Sequence, residues 1–128
     1  VIASPDMVAI ALLVADERIT DVVGPRVSTD LQPGGPAIRV TLLPGRVTGS
    51  SDWEWSATVQ VECWAEDQGQ AADLAALLRS VWPCSTGRHV RRMGYVSGTW
   101  LESGPFWMPD PETRTPRYVL TLGLACHE

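Results

Sequence analysis

The residues able to do chemistry are few and scattered. The chain has two histidines, His89 and His127, and three cysteines, Cys63, Cys84 and Cys126. A zinc ion would want Cys84, His89, Cys126 and His127. Structural zinc motifs bring two close ligand pairs at recognisable spacing. Here Cys84 and His89 are loosely spaced, and Cys126 and His127 are adjacent. Neighbours on a strand point to opposite faces, which is a poor arrangement for sharing one metal. Nucleophilic catalysis needs a nucleophile beside a base that a third group holds. No G-x-S-x-G occurs, and neither histidine has a catalytic neighbourhood. The acidic pairs Asp16-Glu17 and Glu66-Asp67 fall at element ends and read as solvated caps. Gly34-Gly35 is not a phosphate loop, because the chain has no lysine for a Walker motif and no G-x-G-x-x-G opening a helix. The reading is therefore of a protein that is not an enzyme, with no catalytic, cofactor-binding or metal residues and no cofactor.

One basic cluster stands out, Arg88, Arg91 and Arg92. It could touch phosphate, but the balance of the chain runs the other way, with a net charge of −5. Nucleic-acid modules are usually basic, because neutralising phosphates supplies most of their affinity. Pairing with carboxylates, in this chain or on a neighbour, fits the cluster better. All ten basic residues are arginine; coding bias accounts for that more simply than a demand for bidentate contacts. Three cysteines cannot all pair. Cys63 and Cys126 fall in apolar strand rows, where a thiol packs as a small hydrophobe, and the pattern reads as that of a reducing compartment. The longest apolar run, Met7 to Ala15, is about half of the roughly 20 residues a membrane span needs. No membrane partner is expected.

The elements that must carry these residues read as follows. Ser4-Pro5-Asp6 starts a helix, with a cap, a first-turn proline and an acid at the positive end of the helix dipole. That helix is expected to run to about Arg18. Its middle, VAIALLVA, is apolar nearly all round, so it must be buried on more than one side. Residues 26–31 read as a short strand and 37–44 as a full one. Residues 44–52 read as a long, flexible loop. Residues 52–67, DWEWSATVQVECWAED, alternate without a break: Trp53, Trp55, Ala57, Val59, Val61, Cys63 and Ala65 form one apolar row. With the preceding strand this makes a long antiparallel hairpin. Residues 69–82 have helical spacing at Ala71, Leu74, Ala75, Leu78, Val81 and Trp82, and Pro83 ends the helix. Residues 88–100 read as a strand weakened by Gly94 and Gly98, 102–116 as a proline-rich loop, and 117–126 as a closing strand. With 45% hydrophobic and 20% charged residues, the composition is globular. The expected architecture is one α+β domain over residues 1–128: a mostly antiparallel sheet of four to five strands with two helices packed on one face.

What remains is surplus apolar surface. Six tryptophans stand against one phenylalanine. Tryptophan is rarely fully buried and is enriched at protein interfaces. Trp53, Trp55 and Trp82 fit core rows; Trp64, Trp100 and Trp107 do not. Trp64 ends the polar row Glu54, Ser56, Thr58, Gln60, Glu62, and Trp107 lies in PFWMPDP, where the chain should meet water.

The order and pattern resemble the tail terminator (tail completion, head-tail joining) proteins of long-tailed bacteriophages. The features that carry this span nearly the whole chain. They are the N-terminal apolar helix, PAIRVTLLPG, the tryptophan-led strand WEWSATVQVECWAED, the helix QAADLAALLRSVW, and the closing PDPETRTPRYVLTLGLAC. The resemblance implies a homo-hexameric ring in the virion, assembled in the host cytoplasm. That ring caps the tail tube, ends its polymerisation and offers a surface to the head-tail connector. Its partners would be other copies of itself, the tail tube protein and the connector protein, with DNA only passing through the lumen. The arginines at 88, 91 and 92 would be awkward if they lined that hole. The interface candidates are Arg46 and Asp52 in the first long loop, Trp64 on the strand, Arg88, Arg91 and Arg92, and Phe106, Trp107 and Met108 in the second loop. Alternatives are a head-completion or stopper protein of the neck, a small ligand-binding α+β module, or a nucleic-acid binder using the arginine cluster.

Overall fold

The computed structural model describes residues 4–30, 35–43, 48–51, 54–90 and 92–127. Pro5 opens the first helix, α1 (Pro5–Val14), where its missing N–H costs nothing; Ser4 precedes it in an extended conformation but makes no side-chain cap bond. The helix ends sooner than the apolar run suggests. Asp16 accepts the backbone N–H of Arg18 at 2.9 Å and caps a second helix, α2 (Glu17–Val23). The Arg18 guanidinium returns to the same carboxylate at 3.2 and 2.9 Å. Those hydrogen bonds hold the Asp16 carboxyl below its ordinary pKa. The expected single helix to Arg18 is thus two, and Asp16 is a buried cap, not a solvated one. The third helix, α3 (Gln68–Val81), is capped by Asp67, which accepts the Gln70 N–H at 2.8 Å. It ends at Val81, just before Pro83, as expected. The chain tightens into a 3-10 helix, Trp82–Ser85, whose first turn tolerates a proline.

The strands are β1 (Val27–Ser28), β2 (Ala37–Leu42), β3 (Thr48–Ser51), β4 (Glu54–Trp64), β5 (Arg88–Val90), β6 (Gly94–Trp107) and β7 (Arg117–His127). They form one sheet in the order β1-β2-β4-β7-β6-β5, with β3 added on β4. The sheet is mixed: β1 runs parallel to β2 and every other pair is antiparallel. The β2–β4 hairpin has the expected alternation, pairing Ile38 with Cys63 and Val40 with Val61.

Seven strands and three α-helices replace the four to five strands and two helices expected. The extra helix is α2; two local causes account for the extra strands, and a third lengthens β6. Part of the first long loop, Thr48–Ser51, pairs with β4. A turn divides β5 from β6. The segment read as the second loop begins as strand, because β6 continues through Pro105 to Trp107. It does so by bulging: its register against β7 shifts between Val96 and Gly98, between Leu101 and Ser103, and between Ser103 and Phe106. Gly104 lies within the last shift at φ +94°, and a Cβ there would come within 2.6 Å of the Val119 carbonyl oxygen. Only glycine fits so close to the neighbouring backbone.

One core lies between the helices and one face of the sheet. Val40, Val59, Val61, Cys63, Leu120, Leu122 and Leu124 supply the sheet side; Val8, Leu12, Leu13, Leu74, Leu78 and Trp82 supply the other. Trp82 is fully buried and donates its indole N–H to the Gly123 carbonyl at 3.0 Å. Burial raises the pKa of both the Cys63 and Cys126 thiols, consistent with packing as hydrophobes.

Candidate functional site

The other face of the sheet, away from the helices, carries the features that the core does not explain. β7 runs through it with β4 on one side and β6 on the other. On the β4 side the side chains are polar and covered. Glu62 is 3% exposed. Its carboxylate meets Arg117 at 3.2 Å and Arg39 at 3.9 Å, and accepts from Gln60 at 3.4 Å. These partners come from β7, β2 and β4 itself, so strand register gathers the cluster: Arg39 pairs with Glu62, and Glu62 with Val119, one pleat from Arg117. Arg117 also donates to the Met108 carbonyl at 2.7 Å.

Trp64 belongs to this covered region. It was expected to stand exposed at the end of the polar row, and it does not: it is 6% exposed. Its directly opposed residue on β7 is Arg117, whose guanidinium carbon lies 5.1 Å from the ring centroid. The indole nitrogen is buried with no acceptor among the described residues. The sequence could not reveal the cover, because it comes from a strand that begins more than fifty residues later.

On the β6 side the side chains are apolar and open. Trp100 is 37% exposed, Phe106 55%, Trp107 42% and Met108 48%. Trp100 lies across Gly123: a Cβ on that glycine would come within 2.1 Å of the indole. Its Nε1 donates to Glu102 at 2.7 Å, which holds the ring flat on the strand. Phe106 stands opposite Val119 on this face, whereas its strand neighbour Trp107 points to the other face, where its ring lies tilted at 5.2 Å from Tyr118 of the helix-side row. Tyr118 in turn accepts from Gln68 at the start of α3 at 3.3 Å.

The turn that follows is tightly built. Met108 N–H donates to the Arg117 carbonyl, Asp110 N–H to the Thr115 carbonyl, and Asp110 accepts from both the amide and hydroxyl of Thr113. The Thr113 bonds lower the Asp110 pKa. The four apolar side chains therefore sit on an ordered strand and turn.

Of the residues singled out by sequence, Phe106, Trp107 and Met108 come together at this end of β6. Arg88 and Arg92 lie exposed around the β5–β6 turn, near the opposite end of the same strand, and make no ion pair with another described residue. Arg46, Asp52 and Arg91 lie outside the described residues, as does Trp53. The Arg117–Glu62 pair and the Trp100–Gly123 contact went unread. A glycine in the middle of an otherwise apolar strand was the available signal for the second.

The remaining groups do not converge. His89 and His127 lie on either side of Tyr95, at ring distances of 6.5 and 5.1 Å. Among the described residues no three His, Cys, Asp or Glu gather as metal ligands, and no helix is long and apolar enough to cross a membrane.

No protein-family model matches the chain, and no curated protein matches it. Among solved structures it is similar to a chain of the virion of a native gene transfer agent particle. The two are 19% identical, with a TM-score of 0.63, over 91% of this chain and 90% of the other. At that identity the likeness is one of fold, and it runs nearly end to end.

Proposed function

We propose that this chain is a structural protein of a virion. Its copies form a homo-hexameric ring that caps the tail tube, ends tube polymerisation and joins the tail to the head connector. The observation that carries the reading is the near end-to-end fold likeness to a chain of a gene transfer agent virion. The site is consistent with a docking role. Exposed apolar side chains cluster on and just after β6, and no three described His, Cys, Asp or Glu gather as metal ligands. Apolar surface held open by ordered backbone is characteristic of surfaces that meet another protein.

In this reading the protein is not an enzyme and takes no cofactor. DNA passes the ring without being held, which a net charge of −5 per chain suits. The exposed Arg88 and Arg92 then face a protein partner, away from the lumen. Purified chain added to growing tail tubes should stop elongation, and labelled chain should appear at tube ends by electron microscopy. Label on filled heads with bare, still-growing tube ends would instead assign the chain to a head-completion or stopper ring of the neck.

A further inference from the structure

The long strands hold two kinds of charge apart. At one end of the sheet lies the β5–β6 turn, where Arg88 and Arg92 are exposed. Neither guanidinium meets a carboxylate among the described residues.

At the other end lie the β6–β7 turn and the link from β4 into α3. These two segments adjoin: Trp64 is opposed to Arg117, and the Ala65 N–H donates to the Pro116 carbonyl at 3.3 Å. The carboxylates at this end are Glu66 and Asp67 on the link and Asp110 and Glu112 on the turn. Asp67 caps α3 and Asp110 holds Thr113. Glu66 and Glu112 are exposed and meet no cation among the described residues. Arg117 is engaged by Glu62, so Arg114 alone opposes these acids. The end is acidic, and Phe106 and Met108 stand exposed on it.

The two ends cannot serve each other within one copy. β4 runs between them in 11 residues and is paired with β7 along its whole length, so the separation is fixed. At the rise of an extended strand it is about 33 Å. The screening length at physiological ionic strength is about 8 Å. The chain therefore carries both halves of a charge pair, and only another copy can bring them together.

We infer that the β5–β6 turn of one copy, through Arg88 and Arg92, docks on the acidic end of a second copy, at Glu66 and Glu112 beside Phe106 and Met108. The charges select the partner and its register, and the apolar side chains supply buried area. The surfaces are unlike, so the contact can repeat from copy to copy around a ring. The inference rests on the ring reading above and adds which two surfaces meet.

The test reverses each end separately. Arg88→Glu with Arg92→Glu makes the turn acidic; Glu66→Arg with Glu112→Arg makes the other end basic. All four side chains are exposed, so the fold should stand, and circular dichroism checks that it does. In analytical ultracentrifugation at low salt, each variant alone should self-associate about tenfold more weakly or worse than the unmodified chain, because like charges then face each other. Added salt should narrow the gap. Mixed one to one, the variants make every contact between unlike copies attractive again. The mixture should regain assembly, and native mass spectrometry should find the two variants in equal number. Where the unmodified chain assembles only on tube ends, the comparison is read there: each variant alone should fail to cap, and the mixture should cap. Arg88→Glu and Glu112→Arg form a milder pair should either double variant lose its fold.

Self-association indifferent to the reversals would overturn the inference, as would a mixture no better than its parts or an unmodified chain that stops at a dimer. So would DNA binding that the arginine reversal abolishes while self-association is kept, which would assign the turn to phosphate. If each variant alone caps tube ends as the unmodified chain does, the inference falls and the ring reading stands. An unmodified chain that neither self-associates nor caps tubes overturns both.

Discussion

β4 and β6 flank the same strand, β7, and treat water in opposite ways. On β4 the outward row is polar, and Thr58, Glu62 and Trp64 are nonetheless buried. On β6 the outward residues include Trp100 and Phe106, and they stand open. The usual arrangement on the solvent side of an antiparallel sheet is polar and wet. Here the polar row is roofed by arginines from neighbouring strands, and the apolar row is roofed by nothing among the described residues. The covered side holds the fold, while the open side leaves apolar area that the proposed docking role would use. Residue type alone would have assigned the two roles the other way round.

Breaking the covered side should show in the monomer. Trp64→Ser removes a buried indole from beneath Arg117 and should destabilise the fold by about 4 kcal/mol, read as a fall in the denaturant midpoint. A small change there, with assembly lost instead, would return Trp64 to the interface and dissolve the contrast.

Glu62→Ala should come next. It strands Arg117, which is 17% exposed, and loosens Arg39, which at 41% can turn to water. Removing one member of a fully buried pair costs about 3–5 kcal/mol; with one arginine free to hydrate, about 2 kcal/mol is expected. Arg39→Ala should cost less than Arg117→Ala, and the reverse order would mean that the roof is built differently.

The open side should behave as surface. Phe106→Ser ought to leave monomer stability within about 0.5 kcal/mol, the range of ordinary surface substitutions, while weakening self-association. A large loss of stability would show that the ring is already spoken for within the chain.

The smallest effect is local and depends on pH. The folded pKa of Asp110 is lowered, so its contribution to the β6–β7 turn is complete above the unfolded value, near 3.9, and fades as pH falls through the folded value. Amide exchange at Thr113 should quicken below that point while β4 amides stay protected. Equal quickening in both would mean that the turn and the covered side unfold as one unit.

Much of the architecture was legible from period and punctuation. β4, β7 and α3 have unbroken patterns, and each lies within a residue or two of where the pattern puts it. The errors cluster where the period breaks. Asp16 looked like the end of one helix and is the cap of another, because a capping carboxylate and a helix-ending one are the same residue to a pattern. β6 vanished after Leu101 because each bulge moves the next side chain to the other face, and a period-two search reads that as loop. The apolar cluster at Phe106, Trp107 and Met108 was visible as an anomaly. Trp100 was only a tryptophan out of row until Gly123 was found beneath it.

What the residues determined by themselves is the set of faces: which side chains share a row, and that one row of nearly every long element must be dry. What only the tertiary structure decided is which of the remaining rows stay wet. That depends on partners set by strand register, such as Arg117 over Trp64 and Val119 beside Phe106, which lie far away along the chain. Local periodicity records the direction in which a side chain points, and cover comes from whatever the fold brings across from it.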